Sequence, residues 1–318
     1  MRLLTFVAGP TPTVGALLGD TVVDVTMAYA AALAAEGHPR AEGAAAAILP
    51  PSMRQILQGG EEALEAVRRG VRFVEERLAA PTPPTGPGGT RVVYRLRDVR
   101  VCAPVPDPQK IIGIGLNYRD HCEEQGIELP KVLMTFPKFA DAVTGPGDPI
   151  VLPRGCEQLD WEVELVFVVG RRARYVEPAE AYRYIAGYTV GNDVSARDFQ
   201  FADKQMMRGK ACETFAPMGP YLVLRDEVPE PHQLKIESRL NGHVMQSSNT
   251  GNLVHRIPAI MAWVTKYLTL HPGDCVMTGT PAGVGVFRKP PVFMKPGDVI
   301  EMEIQGLGVL RNSVVASD

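Results

Sequence analysis

One ten-residue run constrains this chain more than any other: Asp160-Trp161-Glu162-Val163-Glu164-Leu165-Val166-Phe167-Val168-Val169, closed by Gly170. Its β-branched and aromatic residues predict a strand. Side chains alternate along a strand, so Asp160, Glu162 and Glu164 are expected on one face, with Trp161, Val163, Leu165 and Phe167 on the other. Three carboxylates at that spacing repel one another, and the run contains no Lys or Arg. Burying such a group without a partner is costly or forces protonation. A divalent cation resolves the conflict, and an all-oxygen set favours Mg²⁺, Mn²⁺ or Ca²⁺ over zinc. A solvated edge face is the competing reading. The apolar continuation over 165–169 predicts a buried strand instead and puts the metal first.

With 318 residues and a formal net charge of −3, the chain can build one large domain or two unequal ones, each with a core. No basic run supplies a footprint for nucleic acid. Nothing approaches a membrane span of ~18 apolar residues, and residues 1–6 are too short an apolar start for a signal peptide. They read as a first strand. The five cysteines (Cys102, Cys122, Cys156, Cys212, Cys275) are scattered, odd in number and form no CxxC pair. That argues against a zinc or disulfide framework and for a reducing compartment. With no targeting signal recognised, a cytoplasmic location is expected. Cys122 follows His121, but neighbours along a helix point apart, so the adjacency carries no chemistry.

The Pro/Gly-rich stretch around 79–90 holds neither helix nor central strand. It predicts a small α/β N-terminal domain at 1–80, a linker at 81–90 and a larger domain at 91–318. The first has strands at 2–7 and 14–25, the latter interrupted by Gly19-Asp20, then helices near 27–35 and 61–78. Leu64, Val67, Val71, Val74 and Leu78 make a core-facing stripe on the second helix. Beyond the linker, short strands and turns dominate. Pro-Gly-Asp recurs at 146–148, 272–274 and 296–298, each copy suited to a type II turn that leads into an apolar strand. Helices are expected near 119–125, 197–204 and 257–268. The class is α+β and strand-dominated, without regular βαβ alternation or solenoid repeats.

A metal needs a further ligand. Residues 184–192 predict a strand ending at Asp193, and if it pairs beside 162–169, Asp193 completes a Glu, Glu, Asp set with water. Ser195 with Asp198 also suits a capping box. Arg197, Gln200 and Lys210 follow closely and suit an anionic, oxygen-rich ligand, although each alone reads as a surface residue. Upstream, 110–124 is a strand feeding a short helix. The dinucleotide fingerprint fails there because its third glycine position holds Tyr118. His121 and Glu124 share a helical face and form either a general-base pair or an ordinary surface pair. Segment 277–285 lacks a P-loop Lys. Its glycines and the Thr280 hydroxyl suit either anion approach or a tight turn.

Together, Gly-Leu-Asn-Tyr-Arg-Asp-His (115–121), Trp-Glu-Val-Glu-Leu (161–165), Asp-Val-Ser-Ala-Arg-Asp (193–198), Gly-Lys (209–210) and Thr-Gly-Thr-Pro-Ala-Gly-Val-Gly (278–285) resemble the fumarylacetoacetate hydrolase family over about 110–315. The resemblance implies a mixed β-roll, a homodimer, and Mg²⁺ or Mn²⁺ held by Glu162, Glu164 and Asp193. It further implies His121 and Glu124 as base dyad on a segment that often orders as a lid, and Lys210 stabilising an enolate or oxyanion. Arg197, Gln200 and Thr280 would bind the substrate, with Lys138 near the pocket. Asp160 becomes a flanking residue. The substrate implied is a small anionic 2-oxo acid or 1,3-dicarbonyl. Carbon–carbon hydrolysis of an acylpyruvate leads. Oxaloacetate tautomerisation or decarboxylation follows, and hydrolysis of a diketo-deoxy sugar acid is a third reading. A metal-binding protein without catalysis is disfavoured by the intact His121, Glu124 and Lys210.

Overall fold

The computed structural model describes residues 1–80, 82–203 and 205–317, so the linker expectation at Pro81 and the helix expectation at Lys204 fall outside the described residues. Among the described residues the fold is α+β, built on two large sheets and a third of only two short strands. The larger has twelve strands and runs in the order Val93–Arg95, Thr21–Asp24, Thr13–Leu18, Arg2–Val7, Ala216–Leu224, Ile185–Asn192, Val163–Val169, Cys275–Met277, Ile111–Gly115, Met134–Lys138, with two short strands off this path. The smaller is a five-stranded sheet of His243–Asn249, Lys235–Leu240, Val299–Ile304, Gly308–Ala316 and Ile150–Leu152.

Val163–Val169 lies at the centre of the large sheet, paired with a strand on each side, and every residue of it is buried. A strand covered on both faces needs apolar side chains on both, which is why its sequence reads as a continuous run. The strand expected from residue 160 is nevertheless broken. Leu159–Asp160 leaves the large sheet and pairs with Ser195–Ala196. Asp160 is therefore not grouped with the carboxylates of Glu162 and Glu164.

The sheet is continuous across the expected division at 81–90. Arg2–Val7 pairs antiparallel with Ala216–Leu224, placing Arg2 opposite Val223 and Leu3 opposite Leu222. Helix Val25–Ala35 is capped by Asp24, whose Oδ1 accepts the Met27 N–H at 3.0 Å. Helix Gly60–Glu75 crosses it at Gly70, where a Cβ would stand 2.7 Å from the Tyr29 nitrogen. Of the expected stripe, Val67, Val71 and Val74 are buried on it and Leu64 is half-buried, while Leu78 lies beyond the helix end at Glu75. Two short helices, Ala41–Ile48 and Met53–Gln58, were not legible, because one is nearly uniform alanine and the other spans too few residues to show a period.

All three Pro-Gly-Asp segments form the same turn. Gly147, Gly273 and Gly297 have φ of 81°, 89° and 94°, as the third position of a type II turn requires. Each Asp then folds back. The Asp148, Asp274 and Asp298 carboxylates accept the N–H groups of Gly145, His271 and Lys295 at 3.2, 2.8 and 2.9 Å.

Candidate metal centre and acid–base dyad

Ile185–Asn192 pairs antiparallel with Val163–Val169, setting Asn192 opposite Val163, and the Asp193 N–H donates to the Glu162 carbonyl at 2.9 Å. That register brings the carboxylates of Glu162, Glu164 and Asp193 together, with one oxygen of each within 4.8 Å of the others and all three residues buried. An all-oxygen, carboxylate-rich set of this spacing fits a hard divalent cation. Glu164 lies on the strand and Glu162 immediately before it, while Asp193 directly follows the strand beside them.

The set is not left uncompensated, as the run alone suggests. Lys210 donates to Glu162 Oε2 at 2.7 Å and to Asp193 Oδ2 at 2.8 Å. Lys138 donates to Asp193 Oδ1 and to the Val194 carbonyl. Arg197 donates from Nη2 to Glu162 Oε1 at 2.7 Å, from Nε to Asp160 Oδ2 at 2.9 Å and from Nη1 to Gln200 Oε1 at 3.1 Å. Burial pushes the Glu162 carboxyl up, but Lys210 and Arg197 outweigh it and hold the group below the usual range. Glu164 is raised instead, by burial and by the charges of Asp193 and Glu162, with the Gly279 N–H at 2.6 Å opposing. Burial drives Lys138 down despite Asp193. It works the same way on Lys210, where Asp193 and Glu162 win and the ammonium is favoured.

Helix Arg119–Gln125 places His121 and Glu124 on one face, and Glu124 Oε2 meets His121 Nδ1 at 3.1 Å. A carboxylate on Nδ1 selects the Nδ1–H tautomer and leaves Nε2 with its lone pair. The other carboxylate oxygen accepts the Gly283 N–H at 2.9 Å, tying the dyad to the 278–287 loop. Asp120 anchors the same helix from its other side, accepting from Ser248 Oγ at 2.5 Å.

His121, Glu162, Arg197, Gln200, Lys210 and Thr280 line one cavity of about 70 Å³, walled by Phe136, Phe201 and Phe287 among others. Six of the ten residues singled out from sequence thus face the same space. Lys138 does not. It is fully buried against Asp193 and, like Glu124, Glu164 and Asp193, lies outside the cavity lining. Thr280 is in the lining, but its hydroxyl proton goes to the Val163 carbonyl at 3.0 Å, so it has none to give an anion. Ser195 and Asp198 do not form the capping box: Ser195 Oγ donates to the Asp193 carbonyl, and Asp198 accepts the Glu157 and Phe199 N–H groups.

Sequence reasoning missed Gln246. Its Oε1 accepts from Val163 N and Ser238 Oγ, both at 3.0 Å, while Nε2 donates to Thr280 Oγ1 and the Pro281 carbonyl, both at 2.8 Å. This side chain from the small sheet joins the acidic strand to the 278–287 loop. Nothing in its local sequence distinguishes it from an exposed strand polar residue. Asn117 belongs to the 115–121 motif. Its amide donates to the Thr278 and His255 carbonyls at 2.7 and 3.0 Å, fixing where that loop begins.

A family model described as fumarylacetoacetate (FAA) hydrolase C-terminal matches residues 110–315. The chain is 46% identical over 269 residues to "Oxaloacetate tautomerase FAHD2A, mitochondrial" of Bos taurus, covering 84% of this chain and 81% of the relative. The Homo sapiens protein of the same name is 45% identical over 269 residues, with the same coverage. Among solved structures, fumarylacetoacetate hydrolase from Exiguobacterium antarcticum superposes with a TM-score of 0.77 at 31% identity, and maleylpyruvate hydrolase from Sphingobium with 0.72 at 30%, each over the full length of both chains. Similarity of this extent, on a fold and acidic cluster already described, makes the chain a member of the fumarylacetoacetate hydrolase family.

Proposed function

We propose that this chain is a Mg²⁺- or Mn²⁺-dependent tautomerase of a small 2-oxo dicarboxylic acid such as oxaloacetate. The observation that carries the reading is one oriented base, His121, sharing a cavity of about 70 Å³ with Arg197 and Lys210. That set suffices to take a proton from carbon and hold the oxyanion that forms, without a second nucleophile. The names of the relatives at 45–46% identity support the same choice.

Glu162, Glu164 and Asp193 would hold the ion, which when bound polarises the substrate carbonyl. Arg197 keeps two N–H groups beyond those given to Asp160, Glu162 and Gln200, enough to grip a carboxylate. His121 Nε2 takes a C3 proton, the C3–H electrons form the C2–C3 double bond, and the carbonyl π pair moves onto oxygen. Lys210 stabilises that oxygen, and return of the proton from His121 to it gives the enol and restores the base. The unpaired state of all five cysteines goes with a cytoplasmic setting.

Hydrolysis of an acylpyruvate is the second reading, favoured by solved neighbours such as maleylpyruvate hydrolase. There His121 would deprotonate water in place of carbon. Proton NMR separates the two. Metal-stripped protein is incubated with oxaloacetate, acetylpyruvate and fumarylpyruvate, before and after Mg²⁺. Faster keto–enol exchange of oxaloacetate with the acylpyruvates intact is expected, and release of pyruvate from an acylpyruvate would replace the tautomerase by a hydrolase. His121→Ala should abolish turnover while calorimetric Mn²⁺ affinity persists, and Asp193→Ala should lose that affinity.

A further inference from the structure

Asp160 is neither in the ligand set nor in the cavity lining, yet its carboxylate, with no solvent exposure, takes four donors. Oδ1 accepts the Gly285 N–H at 2.6 Å and the Trp161 N–H at 2.8 Å. Oδ2 accepts Arg197 Nε at 2.9 Å and the Val286 N–H at 3.0 Å. Two walls of the cavity depend on it. The Gly285 and Val286 amides hold the turn Gly285–Phe287, whose Phe287 ring lies 5.8 Å from the His121 imidazole at 58°. Gly285 is required for that approach, since a Cβ there would stand 2.7 Å from Asp160 Oδ1 and 1.9 Å from the Val292 carbonyl oxygen. The other wall is Arg197, aimed by Asp160 so that its remaining nitrogens reach Glu162 and Gln200.

We propose that Asp160 is a positioning residue that sets Phe287 against His121 and Arg197 beside Glu162, so that substrate affinity depends on a carboxylate touching neither substrate nor metal. This rests on the cavity being the site for an anionic 2-oxo acid. The chemistry of the four donors makes a neutral amide a poor replacement. Asn offers one acceptor oxygen, and its NH₂ group would face two N–H donors whichever way it is turned.

The test uses the full chain loaded with Mn²⁺ and oxalate as a non-reacting probe. Asp160→Asn should weaken calorimetric oxalate binding about tenfold, the loss of one charge-assisted hydrogen bond, and raise KM for oxaloacetate similarly. Its kcat and Mn²⁺ affinity should stay within about threefold, a split that general loosening of the fold would not give. Phe287→Leu leaves Asp160 and its donors in place and should itself weaken oxalate about threefold. Combined with Asp160→Asn it should cost less than the product of the two, because part of the Asp160 effect already runs through the Phe287 wall. Unchanged oxalate binding in either single variant overturns the proposal. So does lost Mn²⁺ affinity in Asp160→Asn, which would put Asp160 in the metal set. A wild-type protein that binds oxalate but leaves oxaloacetate untouched overturns the tautomerase reading alone.

Discussion

At the scale of single residues, the site is an exercise in compensating buried charge. Lys210, with its side chain 1% exposed, spans two of the three candidate ligands, so in the metal-free protein it stands where a cation is needed. Removing one partner of a buried pair costs about 3–5 kcal/mol, because the other charge stays buried. Lys210→Met is therefore expected to lower the melting temperature of the metal-free protein, and Mn²⁺ should raise it by more than it raises wild type. Calorimetric scans with and without Mn²⁺ check this, and equal melting in both proteins would remove Lys210 from the charge balance. The carboxylates were legible in sequence because alternation and the missing counter-charge are local facts. Their partners were not, since Lys138, Arg197 and Lys210 arrive from separate segments.

At the scale of elements, the repeated turn has one copy that does more than turn. Asp274 is fully buried and accepts from His271 N, Lys110 N and Lys110 Nζ at 2.8, 3.0 and 3.2 Å, joining the starts of the parallel strands Cys275–Met277 and Ile111–Gly115. Asp148 is partly exposed and pairs with an exposed Arg100. Asp274→Ala should then cost about 2–4 kcal/mol in urea unfolding and Asp148→Ala under about 1. Equal costs would mean that burial does not separate them. Helix Ile257–Tyr267 offers a pH test. His232 Nε2 accepts the Ile257 N–H at 3.2 Å, and burial with nearby Arg256 lowers its pKa from 6.5 to about 4. The unfolded chain thus binds the proton first, so stability is full above pH 6.5 and is lost as pH falls toward about 4. Discounted for partial exposure, the loss is about 1–2 kcal/mol. His232→Gln should flatten that acid slope, and an unaltered slope in urea melts between pH 7 and 4 would show that His232 does not set it.

At the scale of the molecule, the first 80 residues belong to the main sheet through Arg2–Val7. A chain lacking them would expose the edge of Ala216–Leu224, whose nine residues are buried but for Tyr221. Open apolar edges pair with other chains. Fragment 91–318 is expected to aggregate, and a monodisperse fragment with wild-type Mn²⁺ affinity by light scattering and calorimetry would show that the larger part stands alone. The Pro/Gly stretch reads as a boundary because composition reports what cannot be helix or central strand. Which strand the chain joins beyond it is a matter of register, and no local signal carries that.

The sequence by itself determined the elements and the chemistry: a buried acidic strand, a second strand ending in Asp193, a His–Glu pair one helical turn apart and three type II turns. Each follows from period, charge or backbone freedom within a few residues. Only the tertiary structure decided that Asp160 leaves the acidic set, that Lys138 sits against Asp193, that the Thr280 hydroxyl is spent on Val163, and that Gln246 and Phe287 belong to the site. Those outcomes are set by hydrogen bonds and packing between residues about 35 to 165 apart in the chain, and such partners are chosen by strand register rather than by any neighbour in sequence.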